Sequence, residues 1–142
     1  MNRRDVIKLP IFALLSTAIL DAYNKSKIKN TAKMEIKDPK NPTKAELKHT
    51  PDIKIDNNVD KNGYVRVDIT VGQQGIIHPS TQDHWIYKIE LYANGKLVSK
   101  VDLEPEISRG YLSARVNKEG LKELKAIASC NLHGDWENTL TL

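Results

Sequence analysis

The chain has 142 residues, 39% of them hydrophobic, which is enough for one domain with a real core plus an extension. Its formal net charge of +4 is unevenly placed: residues 1–24 carry +1, residues 25–48 carry +5 through eight lysines against Glu35, Asp38 and Glu46, and the remainder from His49 carries −2. A near-neutral body gives no support to a nucleic-acid partner, and the single cysteine excludes both a disulfide framework and an all-cysteine iron or zinc centre.

Residues 1–24 read as a targeting segment. Arg3-Arg4 and Lys8 precede the apolar run Leu9–Leu20, which is shorter than the roughly 20 apolar residues that cross a bilayer. Paired arginines ahead of such a run resemble a twin-arginine export signal, which implies transient membrane contact and a periplasmic location for a protein exported already folded. Left uncleaved, the leader would be an anchor, and no clear Ala-x-Ala cleavage site follows it. Residues 25–45, rich in Lys, Asn, Thr and Pro and punctuated by Asp38-Pro39 and Asn41-Pro42, read as a solvated linker.

From residue 46 to 142 the pattern is that of strands. Tyr64–Val71 alternates apolar and polar residues with period two, which predicts Val65, Val67, Ile69 and Val71 on one buried face. Trp85–Tyr92 leads through Asn94-Gly95 into Lys96–Val101, a strong hairpin signal. Further strands are expected at Asp52–Ile55, Tyr111–Val116, Leu124–Ser129 and Asn138–Leu142, with a helical turn over residues 118–126 as the alternative to one of them. About seven short, regularly spaced strands predict an all-β, immunoglobulin-like sandwich behind the N-terminal extension.

The residues with chemistry cluster at the ends of these strands. Cys130 is followed after three residues by His133 and then Gly134, so a tight turn lets a thiolate and an imidazole face one metal ion. The other histidines are His49, before Thr50-Pro51, and His78 and His84, in His78-Pro79-Ser80-Thr81-Gln82-Asp83-His84-Trp85. Taken singly, turn histidines satisfied by backbone and a buried inert thiol are the ordinary readings. Taken together, all four histidines and the one cysteine lie beside turn or proline signals.

His49-Thr50-Pro51, Val71-Gly72 ahead of His78-Pro79-x4-His84-Trp85-Ile86, and Cys130-Asn131-Leu132-His133-Gly134-x-Trp136-Glu137 resemble, in order, the iron domain of the superoxide reductases, the desulfoferrodoxin and neelaredoxin family. The resemblance implies a mononuclear iron held by His49, His78, His84 and His133 with Cys130 as the axial thiolate, and a sixth position left open. It implies one-electron reduction of superoxide to hydrogen peroxide, fed by a separate, unidentified electron donor. Lys48, beside His49, stands where the family keeps a lysine close to the open position, so it and Cys130 are the candidate catalytic residues. Glu46 lies one residue earlier than the family's glutamate, and Leu47 occupies that place. Relatives with two irons carry an additional four-cysteine domain, so the resemblance is to the one-iron type, whose members form dimers or tetramers. Trp85 and Trp136 adjoin candidate ligands and are expected to shield them.

Two other functions compete. An exported copper electron carrier would combine two histidines and a cysteine with a weak axial methionine, but four histidines exceed that set, and Met1 and Met34 belong to the leader and the linker. A non-catalytic β-sandwich binding domain is the other, favoured by the displaced glutamate.

Overall fold

The computed structural model describes residues 23–142. The twin-arginine-like motif and its apolar run lie outside the described residues. In chain order the elements are a single 3-10 turn at Lys25–Lys27, β1 (Lys33–Met34), α1 (Lys44–His49), β2 (Pro51–Asp56), β3 (Tyr64–Val71), β4 (Ile86–Ala93), β5 (Lys96–Asp102), β6 (Tyr111–Asn117), β7 (Glu123–Cys130) and β8 (Gly134–Thr141). The strands form two sheets, β1-β8-β7-β4-β5 and β2-β3-β6, and every pairing is antiparallel except β1 with β8. β2 packs on β7 and β8 while β6 packs on β4 and β5, so the fold is the expected β-sandwich.

Period-two patterning builds the core. Val65, Val67, Ile69 and Val71 of β3 are all buried, as the alternation requires, and Val67, Ile69 and Val71 meet Ile89, Leu91, Leu124, Ala126 and Ala128 of the facing sheet in one cluster. Asn94 and Gly95 both take positive φ, closing β4 and β5 with a two-residue turn of the type I′ kind. Residues 123–130 are strand, not a helical turn: Leu124, Ala126, Ala128 and Cys130 alternate into the core, and pairing with both β4 and β8 satisfies the backbone.

The segment read as a solvated linker runs along the sandwich. Lys33 and Met34 pair in parallel with Asp135 and Trp136, and the Asp135 N–H donates to the Ala32 carbonyl at 2.8 Å. Gly134 makes this approach possible, because it sits at φ +86° and a Cβ there would stand 2.4 Å from the Ala32 oxygen.

Register gathers the site at one end of the sandwich. Pro51 at the start of β2 pairs with Val71 at the end of β3, Ile86 at the start of β4 pairs with Cys130 at the end of β7, and Cys130 pairs with Gly134 at the start of β8. The end of α1, the β3–β4 loop and the β7–β8 turn therefore converge.

Candidate metal centre

His49 is the last residue of α1, whose N-cap is Thr43. The helix stops because Thr50 precedes Pro51 and takes an extended conformation. The Nδ1–H of His49 donates back to the Ala45 carbonyl at 2.6 Å, which fixes the tautomer and turns Nε2 outward from the helix.

His78 and His84 come from the β3–β4 loop. Gly72 opens the loop at φ +111°, where a Cβ would collide with the Ile76 carbonyl. The Nδ1–H of His78 donates to the Pro79 carbonyl at 2.7 Å. Its Nε2 is buried without a hydrogen-bond partner in a residue only 1% exposed. A buried imidazole nitrogen left without a partner costs about 1–3 kcal/mol unless something accepts its lone pair, and a metal ion does so. Thr81 pairs with His84 as an isolated bridge, which sets the second imidazole.

Cys130 ends β7, and His133 is the last of the three turn residues before β8, whose first residue, Gly134, takes a positive φ. A register shift in β4 between Ile86 and Lys88 lies directly opposite Cys130. Asn131, inside the turn, is buried and ties three segments together. Its Oδ1 accepts the Trp85 N–H at 3.0 Å, and its Nδ2 donates to the carbonyls of Asp83 at 2.9 Å and Lys27 at 3.3 Å.

The four imidazoles form a ring. Centroids of His49 and His78, His78 and His84, His84 and His133, and His133 and His49 are 4.8, 4.6, 4.8 and 4.6 Å apart, with planes at 70°, 79°, 71° and 68°. Across the ring, His49 and His84 are 5.7 Å apart. His133 Nδ1 lies 3.0 Å from His49 Nε2, 3.1 Å from His84 Nε2 and 3.5 Å from Cys130 Sγ. Two imidazole nitrogens at right angles, each about 2.1 Å from one ion, stand about 3 Å apart, so the set fits a single metal. The ligand atoms of His49, His84, Cys130 and His133 all lie within 4.8 Å of one another.

The electrostatics suit ligands. Burial, opposed by the Ala45 carbonyl, holds His49 down to about 4, and burial, opposed by the Pro79 carbonyl, holds His78 down to about 3. His84 is lowered by burial and then by the charges of His133 and Lys48. Their lone pairs are therefore free at neutral pH. Burial pushes the Cys130 thiol up, while the N–H groups of Leu132 and His133 act the other way. A bound cation reverses that balance and takes the thiolate.

The two faces of the ring differ. Cys130 is 0% exposed and belongs to the core cluster. On another side a cavity of about 300 Å³ is lined by His49, His84, His133, Lys48, Trp136, Asn30, Met34 and Ala45. Cys130 does not reach it. Lys48 lines this cavity together with His49, His84 and His133. Met34 lies against the site although sequence position set it apart from Cys130, because β1 pairs with β8. Glu46 points elsewhere: its carboxylate accepts from the Thr43 N–H at 2.7 Å, the Thr43 hydroxyl at 2.8 Å and the Lys37 N–H at 3.0 Å. These bonds complete a capping box and hold the carboxyl below its usual range.

A site of this composition at the end of a β-sandwich is matched by known proteins. The model of the desulfoferrodoxin family matches residues 41–139, most of the chain. The chain belongs to the desulfoferrodoxin family. A Methanocaldococcus jannaschii protein is 38% identical over 103 residues, 69% of this chain and 84% of its own. The superoxide reductase of Thermococcus kodakarensis is 34% identical over 106 residues, 67% of this chain and 87% of its own. The solved one-iron superoxide reductase of Giardia intestinalis superposes with a TM-score of 0.57 at 32% identity, covering 67% of this chain and 98% of its own. The desulfoferrodoxin match begins before α1 and so contains all five candidate ligands and Lys48, while Asn30 and Met34 precede it.

The positioning roles of Asn131 and of the Trp136 indole N–H are visible only in the structure. The signal for Asn131 was its place between Cys130 and His133. Trp136 donates its Nε1–H to the His133 carbonyl at 2.9 Å and stacks on His49, so it holds two imidazoles at once.

Proposed function

We propose that this chain is a one-iron superoxide reductase, in which His49, His78, His84, His133 and the Cys130 thiolate would hold the iron. The partnerless, buried Nε2 of His78, in a ring set edge-on against both His49 and His84, is the observation that carries the reading. Bound iron supplies the one electron that, with two protons, converts superoxide to hydrogen peroxide.

The chain's own residues do the rest. Backbone carbonyls of Ala45 and Pro79 hold His49 and His78 in the tautomer that presents Nε2. Buried Cys130 is kept from water and from peroxide, and the N–H groups of Leu132 and His133 temper its charge. The ammonium of Lys48 draws the superoxide anion into the cavity. Trp85, next to His84 in the chain, is buried and donates its Nε1–H to the Leu103 carbonyl at 3.1 Å, which anchors the start of β4 beside that ligand. Glu46 serves α1 and plays no part at the iron.

The leader over residues 1–24 exports the folded domain to the periplasm, or anchors it when uncleaved, and an external one-electron donor re-reduces the iron. Among the described residues no helix is long and apolar enough to cross a membrane. Association into a homo-dimer or homo-tetramer is supported by the edge of β5, which has no partner strand among the described residues and exposes Leu97 and Val98.

The decisive variant is Cys130→Ser. Loss of superoxide reduction in a folded protein is the expected result. A Cys130→Ser protein that binds iron and reduces superoxide at the unaltered rate overturns the assignment.

A further inference from the structure

The geometry points to Met34 as a site of oxidation by the enzyme's own product, at the mouth through which hydrogen peroxide leaves. This rests on the reading of the centre as a superoxide reductase. Asn30 and Met34 precede the part of the chain that matches the family, yet both line the cavity on the accessible side of the imidazole ring. Three contacts hold that stretch in place. The Ala32 N–H donates to Asn30 Oδ1 at 2.8 Å, the Ala32 carbonyl takes the Asp135 N–H at 2.8 Å, and Met34 pairs with Trp136, whose ring stacks on His49. The Met34 Cγ lies 3.1 Å from where a Cβ of Gly134 would be, directly after His133 in the chain.

Among the described residues lining the cavity, Met34 carries the only sulfur. Cys130, the other sulfur near the site, is fully buried and away from the cavity. A thioether needs no deprotonation to react with peroxide, so it is the most readily oxidised group that departing product meets. In the step, the sulfur attacks one peroxide oxygen, an S–O bond forms and the O–O bond breaks. Sulfur loses two electrons, and the peroxide is reduced to a sulfoxide oxygen and water. The apolar wall then becomes a polar acceptor beside Lys48, a change that methionine sulfoxide reductases reverse.

The test uses the full iron-loaded chain turning over superoxide with a small-molecule one-electron reductant to re-reduce the iron, with catalase present to remove peroxide from the bulk and superoxide consumption recorded in the same sample. Peptide mass spectrometry then reads the gain of about 16 Da, one oxygen atom, on the Met34 peptide. Metal-free protein in the same mixture is the reference. Met34 is expected to be oxidised several-fold faster in the loaded protein, and the gain should vanish from the same peptide of Met34→Leu. Equal rates with and without iron, while superoxide is consumed, overturn the inference alone. Failure of the loaded protein to consume superoxide overturns the reading of the centre, and this inference with it.

Discussion

The indole of Trp136 lies nearly flat on the imidazole of His49, with centroids 5.3 Å apart and planes at 22°. Its Nε1–H is committed to the His133 carbonyl, so one side chain from β8 orients two of the four imidazoles. Trp136→Phe keeps the stack and loses the hydrogen bond. It should bind iron roughly 10-fold more weakly in a chelator competition while staying folded, the lower end of the usual range for outer partners of a metal ligand. Trp136→Ala also opens a cavity and should lose about 3–5 kcal/mol of stability in urea unfolding. Unaltered iron affinity in the Phe variant would remove the hydrogen bond from the account.

Asn131 is the knot among the segments around Lys27, Asp83 and Trp85. Asn131→Ala leaves buried backbone groups without partners, each costing about 1–3 kcal/mol. The melting temperature should fall clearly, and iron should dissociate faster because Cys130 and His133 lose their fixed distance from His84. A variant with the parent's melting temperature and iron off-rate would contradict this role.

Glu46 gives a prediction of opposite kind. Its carboxylate is spent on the capping box of α1, so Glu46→Ala should lower the melting temperature. The visible spectrum of the ferric protein should not move. A spectral shift on this substitution would show that the carboxylate reaches the iron.

The metal-free protein should be acid-sensitive in a defined window. In the unfolded chain the histidines titrate near 6.5, whereas burial holds folded His49 at about 4 and His78 at about 3. Below 6.5 the unfolded state binds more protons, so the stability held in these neutral imidazoles is complete above that pH and is lost as pH falls toward 4 and then 3. The urea midpoint of metal-free protein should drop between pH 7.5 and pH 5. A midpoint that stays flat would mean the imidazoles are not buried neutral.

Lys48→Ala should slow the reaction with superoxide several-fold at low ionic strength and flatten its salt dependence. An unchanged rate constant at low salt would take Lys48 out of the mechanism.

Much of this was legible in the sequence because the physics is local. Strand β3 announces itself by alternation, the β4–β5 hairpin by Asn94-Gly95, and the candidate ligands by standing beside the Gly and Pro residues that end strands. What escaped depends on contacts between distant parts of the chain. Nothing local in Lys33-Met34 says that it will pair in parallel with β8, so a Lys-rich stretch read as linker, and its methionine was placed far from the site it lines. Glu46 illustrates a subtler limit. Thr43 three residues before it is a capping-box signal, and that helix terminus, not the neighbouring His49, takes the carboxylate.

The central claim is a single iron at the imidazole ring that gives one electron to superoxide. The direct measurement is iron content with the visible spectrum, followed by titration of the reduced protein with superoxide. The account predicts one iron per chain, a thiolate-to-ferric absorption band that is absent after reduction, and return of that band with one hydrogen peroxide formed per superoxide consumed. Superoxide that leaves the reduced, iron-loaded protein colourless, or a protein that takes up no iron under anaerobic reconstitution, would contradict it.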